Sequence, residues 1–236
     1  MPALATVLDA VVPDTCVGCA EPGPPLCAGC SAELHRESPR RRDPTPRPPA
    51  LPPVTASGAY AGTLRAALLS YKERGRTRLA DPLARLLAAA VLCAWLTGSD
   101  TAGPVTIVAV PSTGRAKRER GHCHVDTLAA GVVVALRDAG VPARRIQALR
   151  RRGRVRDSAG LSAADRAHNG GAFVVRRHAR RALIGETLIV VDDIVTTGAT
   201  ALAVTAALQA AGASVIGVAA VAATTRRLLV KVPDGV

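Results

Sequence analysis

Residues 188–200 read Leu-Ile-Val-Val-Asp-Asp-Ile-Val-Thr-Thr-Gly-Ala-Thr without a break. A sheet with one wet face alternates apolar and polar residues, whereas a strand covered on both faces is continuously apolar. The run 188–191 therefore predicts a buried strand of a parallel sheet. The stretch 199–211 is rich in Ala and Leu and meets no breaker before Gly212, which predicts a helix ending there. Strand, tight loop and helix together present backbone N–H groups to an anion at the helix N-terminus. Thr196, Thr197 and Thr200 add hydroxyl donors, and Gly198 lets the backbone approach a ligand closely.

Asp192 and Asp193 fall just outside the expected carboxyl end of that strand, where open α/β sheets bind ligands. Adjacent carboxylates repel each other, so the pair needs a partner. Sugar hydroxyls and a hydrated magnesium ion both suit it. A surface Asp-Asp turn would explain the pair alone, but not the apolar strand before it and the Thr-Thr-Gly-x-Thr loop after it. The combination describes a site for a phosphorylated sugar.

Two Cys-x-x-Cys pairs, Cys16/Cys19 and Cys27/Cys30, stand seven residues apart. Each pair can offer two thiolates from one tight turn, and four thiolates suit a closed, tetrahedral structural zinc. Residues 1–12 have no basic leader and are too short to span a bilayer, as is the apolar run near 86–96. No export signal favours disulfides. A cytoplasmic protein without membrane insertion is expected. Cys93 reads as core.

Residues 36–53 contain three consecutive arginines and many prolines, which predicts a solvated, partly extended linker. The chain of 236 residues carries a net charge of +13, with three lysines and therefore 28 arginines among its 31 basic residues. That balance favours anionic partners, but an Arg-, Ala-, Gly- and Pro-rich composition runs through the whole chain. Aromatics make up 2% of residues, against 48% hydrophobic. The core must then be Ala, Val, Leu and Ile, and a base-stacking platform for single-stranded nucleic acid is not expected.

Further elements are expected as strands at 54–59, 105–110, 146–149, 172–175 and 214–222, and helices at 78–96 and 123–139, with a first helix entered from residues 60–65 and running through Leu68 and Leu69 to Tyr71 and Lys72. After the strand at 105–110 come Pro111, Ser112, Thr113 and Gly114, then Arg115, Lys117, Arg118 and Arg120, a credible second anion site. The polar, Arg-rich segment 150–171 is long enough to be a functional loop.

The 188–200 stretch resembles the phosphoribosyl-diphosphate (PRPP) motif of type I phosphoribosyltransferases. That resemblance implies that Asp192 and Asp193 hold the ribose, and that Thr196, Thr197, Gly198, Ala199 and Thr200 wrap the 5′-phosphate. The order of features is more specific. A four-cysteine knuckle precedes Tyr60-x-Gly62-x-Leu64-Arg65 and Tyr71-Lys72. Then follow a Val-Pro loop with Arg118-x-Arg120-Gly121, an Arg-x-x-Asp-Ser-x-x-Leu segment at 154–161, and the PRPP motif. This order is similar to the ComF family of phosphoribosyltransferase-like proteins, associated with competence for DNA uptake.

The resemblance implies a mostly parallel sheet flanked by helices, a pyrophosphate loop at Val110, Pro111, Ser112 and Thr113, and anion ligands at Lys72, Arg118 and Arg120. It also makes the segment 150–171 a hood over the substrate. The expected organisation is an N-terminal helix and zinc knuckle at 1–35, a linker at 36–53, the phosphoribosyltransferase-like domain at 54–225 and a tail at 226–236. His122-Cys123-His124 and Ser158 depart from the pattern where an acceptor would sit, and both histidines are expected as helix-start residues.

Three functions are consistent with these features. One is a transferase moving phosphoribose from PRPP-magnesium to an acceptor with release of pyrophosphate. Another is a PRPP-binding regulator. The third is a DNA-uptake or recombination accessory docking protein partners or, with weaker support, DNA.

Overall fold

The computed structural model describes residues 15–100, 103–111, 123–152 and 172–224. Helix α1 (Ala28–Arg36) follows the cysteine pairs and leads to a two-residue strand β1 (Arg40–Arg41). The main sheet then begins with β2 (Val54–Ala59), followed by α2 (Gly62–Glu73), α3 (Ala80–Gly98), β3 (Val105–Ala109), α4 (His124–Asp138) and β4 (Ala143–Arg145). A hairpin of β5 (Leu149–Arg151) and β6 (Phe173–Val175) leads through a 3-10 turn into the short α5 (Arg180–Leu183). The chain then continues to β7 (Thr187–Val195), α6 (Ala199–Gln209) and β8 (Ser214–Ala223).

The six-stranded sheet has the order β1-β2-β8-β7-β3-β4. Its strands are parallel except for β1, which pairs antiparallel with β2. β7 and β8 lie at its centre, and their continuous apolar runs reflect cover on both faces. Ile189 and Val191 pack with α2, α3 and α4 on one face. Leu188 and Val190 pack with α6, α5 and the β5–β6 hairpin on the other.

The core is Ala, Val, Leu and Ile, as the composition requires, with Tyr71, Trp95 and Phe173 also buried. Small residues let the layers close. An added Cβ at Gly131 of α4 would lie 2.6 Å from the Cβ of Ala84 on α3. Residues Thr77–Gly98 form the one stretch among the described residues long and apolar enough to cross a membrane. Leu83, Leu87 and Val91 of that stretch are fully buried in the core, so it is accounted for as a core helix.

The structure corrects four expectations. β7 runs through Val195, so the aspartates lie inside the strand rather than beyond it. Of the strand expected at 146–149, residues 146–148 are instead the connection between β4 and β5, and Leu149 opens β5. Cys93 is only half-buried, its thiol 3.6 Å from the Pro39 carbonyl.

The segment 36–53 is not a solvated linker. β1 extends the sheet, Asp43 accepts the Val54 N–H at 2.9 Å, and Leu51 is 1% exposed in the core. Its arginines are absorbed by ion pairs. Arg40 and Arg42 meet Glu37, and Arg41 and Arg47 meet Asp43. This segment is a strap across the domain. Leu51→Ala is expected to cost about 2–5 kcal/mol, read as a lower midpoint in denaturant.

Candidate active site and cysteine cluster

β3 and β7 are neighbours, yet the chain leaves them in opposite directions. β3 continues through α4 to β4, and β7 continues through α6 to β8. The helices that follow lie on opposite faces. The carboxyl ends of β3 and β7 therefore flank a topological switch point, where open α/β sheets form a ligand crevice. The 188–200 motif occupies one side of this crevice. Val110 and Pro111 begin the loop on the other. The two sides are tied by the Val110 N–H, which donates to the Val191 carbonyl at 2.9 Å.

Asp193 is buried, and Lys72 Nζ lies 2.9 Å from its Oδ2. Lys72 sits in the last turn of α2, beside fully buried Tyr71. The Tyr71 hydroxyl donates to the His124 carbonyl at 3.2 Å, and its ring meets the His124 ring edge-on at 5.1 Å. Burial pushes the phenol up to about 12, so it remains a donor at neutral pH. Tyr71 thus anchors the end of α2 and sets the reach of Lys72. Lys72, expected as an anion ligand, is here the counter-ion of Asp193. The Asp192 carboxyl is held well above the usual carboxylate range, first by burial and then by the adjacent Asp193 charge.

Lys72→Met would leave Asp193 buried without its cation. Because Lys72 is partly exposed, the expected loss is about 1–3 kcal/mol, below the range for fully buried pairs. Unchanged thermal stability of Lys72→Met would show that the pair does not stabilise the fold.

After Val195 the chain turns through Thr196 and Thr197 to Gly198, the N-cap of α6, at φ +76°. Thr196, Thr197, Ala199 and Thr200 are exposed around it, while Gly198 is buried. The strap explains that burial. A Cβ at Gly198 would lie 2.7 Å from Leu51 Cδ2 and 3.2 Å from Pro44 Cγ. Arg47 Nη2 donates to the Leu51 carbonyl and closes the strap over the loop.

Ser112, Thr113, Arg118, Arg120, His122 and Ser158 lie outside the described residues. His124 is the first residue of α4 and is buried, as expected of a helix-start residue. Sequence reasoning missed the Tyr71 anchor and the Leu51 contact. It also missed Arg151, whose Nε donates to the Pro111 carbonyl at 3.2 Å while its guanidinium lies over the Phe173 ring. Leu51 did carry a signal, being the one large apolar residue in a Pro- and Arg-rich stretch.

The four cysteines converge. The sulfur atoms of Cys16, Cys19, Cys27 and Cys30 all lie within 4.8 Å of one another, and Cys19 and Cys27 are 3.8 Å apart. Zinc–sulfur bonds of about 2.3 Å in a tetrahedron space the sulfurs by about 3.8 Å, so the cluster fits a zinc ion. The N–H groups of Gly18 and Cys27 donate to Cys16 Sγ at 3.4 and 3.3 Å, the kind of outer-shell support that orients metal ligands. The arrangement can hold a structural metal. Cys19→Ser or Cys27→Ser is expected to release it, checked by elemental analysis of freshly purified protein. Retention of a full equivalent by both variants would overturn the assignment.

A family model described as the phosphoribosyl transferase domain matches residues 75–232. The chain belongs to that family. Among solved structures, one described as the structure of the allosteric regulatory enzyme of purine biosynthesis is 18% identical with a TM-score of 0.39. The match covers 61% of this chain and 26% of that one. Adenine phosphoribosyltransferase from Leishmania tarentolae is 18% identical with a TM-score of 0.30, covering 80% of this chain and 71% of that one. The chain thus spans about a quarter of the first of these structures. No curated protein matches it.

Proposed function

We propose that the chain binds PRPP with magnesium and transfers its phosphoribose to an acceptor, releasing pyrophosphate. The observation that carries this reading is the β7–loop–α6 unit at the switch point, with its acid pair and its left-handed glycine opening a helix. The exposed threonines and the N–H groups of the first turn of α6 receive the 5′-phosphate. Asp192 and Asp193 take the ribose hydroxyls. Their negative charge favours the positive charge that develops on the sugar as the bond from C1 to the diphosphate breaks.

Lys72 fixes the Asp193 carboxylate in place. Val110, Pro111, Ser112 and Thr113, with Arg118 and Arg120, receive the diphosphate. Carboxylate and hydroxyl oxygens suit magnesium as a hard cation, and bound with the donor it would neutralise diphosphate charge.

Calorimetric titration of the native chain with PRPP and magnesium tests the reading. Saturable binding is expected, and no binding would overturn it.

A second reading rests on the cysteine cluster, which the transfer chemistry does not use. In this reading the chain is a ComF-type cytoplasmic accessory in DNA uptake, its zinc-bearing N-terminal module docking protein partners or DNA, with PRPP bound as a regulator rather than turned over. Salt-dependent DNA binding by the full chain would support it, and its absence would remove the DNA arm.

A further inference from the structure

Residues 15–36 have almost no core of their own. Within them only Cys16 and Pro25 are buried, and α1 buries none of its residues. So small a segment stays folded only when something else closes it. The four converging thiolates can supply that closure, so the fold of this module and its metal are gained and lost together.

The module meets α2 at both ends. At the start of α2, an added Cβ on Gly18 would lie 3.0 Å from Thr63 Cγ2 and 2.6 Å from Cys30 Sγ. The first knuckle turn is thus pressed between the fourth thiol and the first turn of α2. Half-buried Val17, Leu26 and Leu34 lie against the core cluster that contains Leu64 and Leu68 of α2. Beyond the other end of α2, Arg76 Nη2 donates to the Thr15 carbonyl at 2.6 Å, across 61 positions. That distance is at the short end for a charged donor.

Arg76 is itself bound to the last turn of α2. Gly75, at φ +65°, turns the chain back, and the Arg76 N–H donates to the Ser70 carbonyl at 3.2 Å. The next two residues after Ser70 are Tyr71 and Lys72, the anchor of the helix end and the cation that meets Asp193. A contiguous line therefore runs from Cys16 through its neighbour Thr15 to Arg76, the last turn of α2, Lys72 and Asp193.

We propose that the cysteine module is a metal-dependent latch on the donor site. Loading the thiolates fixes Thr15, Thr15 holds Arg76, and Arg76 holds the turn that aims Lys72 at Asp193. The loaded chain then binds the ribose phosphate more tightly than the stripped chain. The inference rests on the donor reading given above. It adds that the two sites are coupled, and that Arg76 is a positioning residue which touches neither ligand. Because Thr15 is exposed, solvent weakens its bond to Arg76. The coupling is therefore expected near the low end of the usual range, about fivefold.

The experiment measures both sides of the coupling. Calorimetry gives ribose 5-phosphate affinity for the native chain loaded with one equivalent of zinc and for the same chain stripped of it. Competition with a chromophoric chelator gives zinc affinity with and without ribose 5-phosphate. No magnesium is added, so the chelator acts on the cysteine cluster alone. Zinc is expected to tighten ribose 5-phosphate about fivefold, and ribose 5-phosphate to tighten zinc by the same factor, as linkage requires. Arg76→Met is expected to keep its zinc and lose most of the coupling. Arg76→Lys should recover part of it, since a point charge can still donate to one carbonyl.

Equal ribose 5-phosphate affinity in the loaded and stripped native chains would overturn the latch and leave the donor reading standing. Full coupling in Arg76→Met would overturn it too, because the line would not pass through that residue. If the loaded native chain does not bind ribose 5-phosphate, the donor reading falls and the latch falls with it. If the stripped chain unfolds, the zinc-loaded forms decide. Loaded Arg76→Met is then expected to bind ribose 5-phosphate about fivefold more weakly than the loaded native chain, and equal affinity overturns the proposal.

Discussion

Asp192→Asn is expected to make the protein more stable at neutral pH while costing it PRPP. Folding places the Asp192 carboxyl where burial and the Asp193 charge raise its pKa well above the ordinary value. A raised folded pKa means that the folded chain holds the proton more tightly than the unfolded chain does. Stability contributed by this group is therefore fullest below the unfolded value, about 4. It declines as pH rises toward the folded value, and the cost is complete above that. Asn escapes the cost, and its side-chain carbonyl can still accept the Asp193 N–H that Asp192 Oδ1 accepts at 2.9 Å.

Thermal melting should show a higher midpoint for Asp192→Asn at pH 8 and a shrinking difference toward pH 4. Calorimetry should show PRPP-magnesium binding weakened in the single variant and abolished in Asp192→Asn/Asp193→Asn. Full PRPP affinity in the double variant would remove the ribose assignment. A stability difference that grows toward pH 4 would contradict the raised carboxyl. A site that holds one carboxyl at a raised pKa beside a carboxylate already paired with lysine is consistent with one that waits for a cationic or hydroxyl-rich partner.

Much of this architecture is legible in the chain because its parallel strands are continuously apolar. Val54–Ala59, Val105–Ala109 and Ser214–Ala223 fall within one residue of where the pattern puts them. The limits of the reading also have physical causes. Asp192 and Asp193 look like a loop because carboxylates are disfavoured in strands. Sheet pairing carries them nonetheless, Asp192 opposite Ala220, and Lys72 neutralises one of them.

The strand at Ala143–Arg145 is short and two of its three residues are exposed arginines, so it has no hydrophobic signature. Residues 36–53 carry the composition of a linker. What makes them a strap is a single buried Leu51 and an Asp43–arginine cluster, contacts that exist only once the sheet edge is present to receive them. The pairing of Lys72 with Asp193 spans 121 positions and leaves no local trace.

Gly198→Val should remove binding at the phosphate loop and destabilise the fold together, and Gly198→Ala separates the two effects. At φ +76° any side chain pays for left-handed backbone, about 1–2 kcal/mol for Ala and more for a β-branched residue. The new Cβ also meets Leu51 Cδ2 at 2.7 Å, closer than real Cβ contacts allow. The second penalty depends on the strap and the first does not. The combination Gly198→Ala/Leu51→Ala should therefore be less destabilised than the two single changes summed, by about 0.5–3 kcal/mol, as residues in contact are.

Ribose 5-phosphate affinity measured on the folded fraction completes the test. The backbone N–H groups that cradle a phosphate depend on the Gly198 turn, so at least a roughly tenfold loss is expected for Val. A folded Gly198→Val protein with native affinity would show that the phosphate sits elsewhere. Strict additivity of the two alanine changes would show that the strap does not bear on the loop. If the pair couples and affinity falls, residues 36–53 are a working part of the donor site, and removing residues 1–53 would take away one wall of it along with the cysteine cluster.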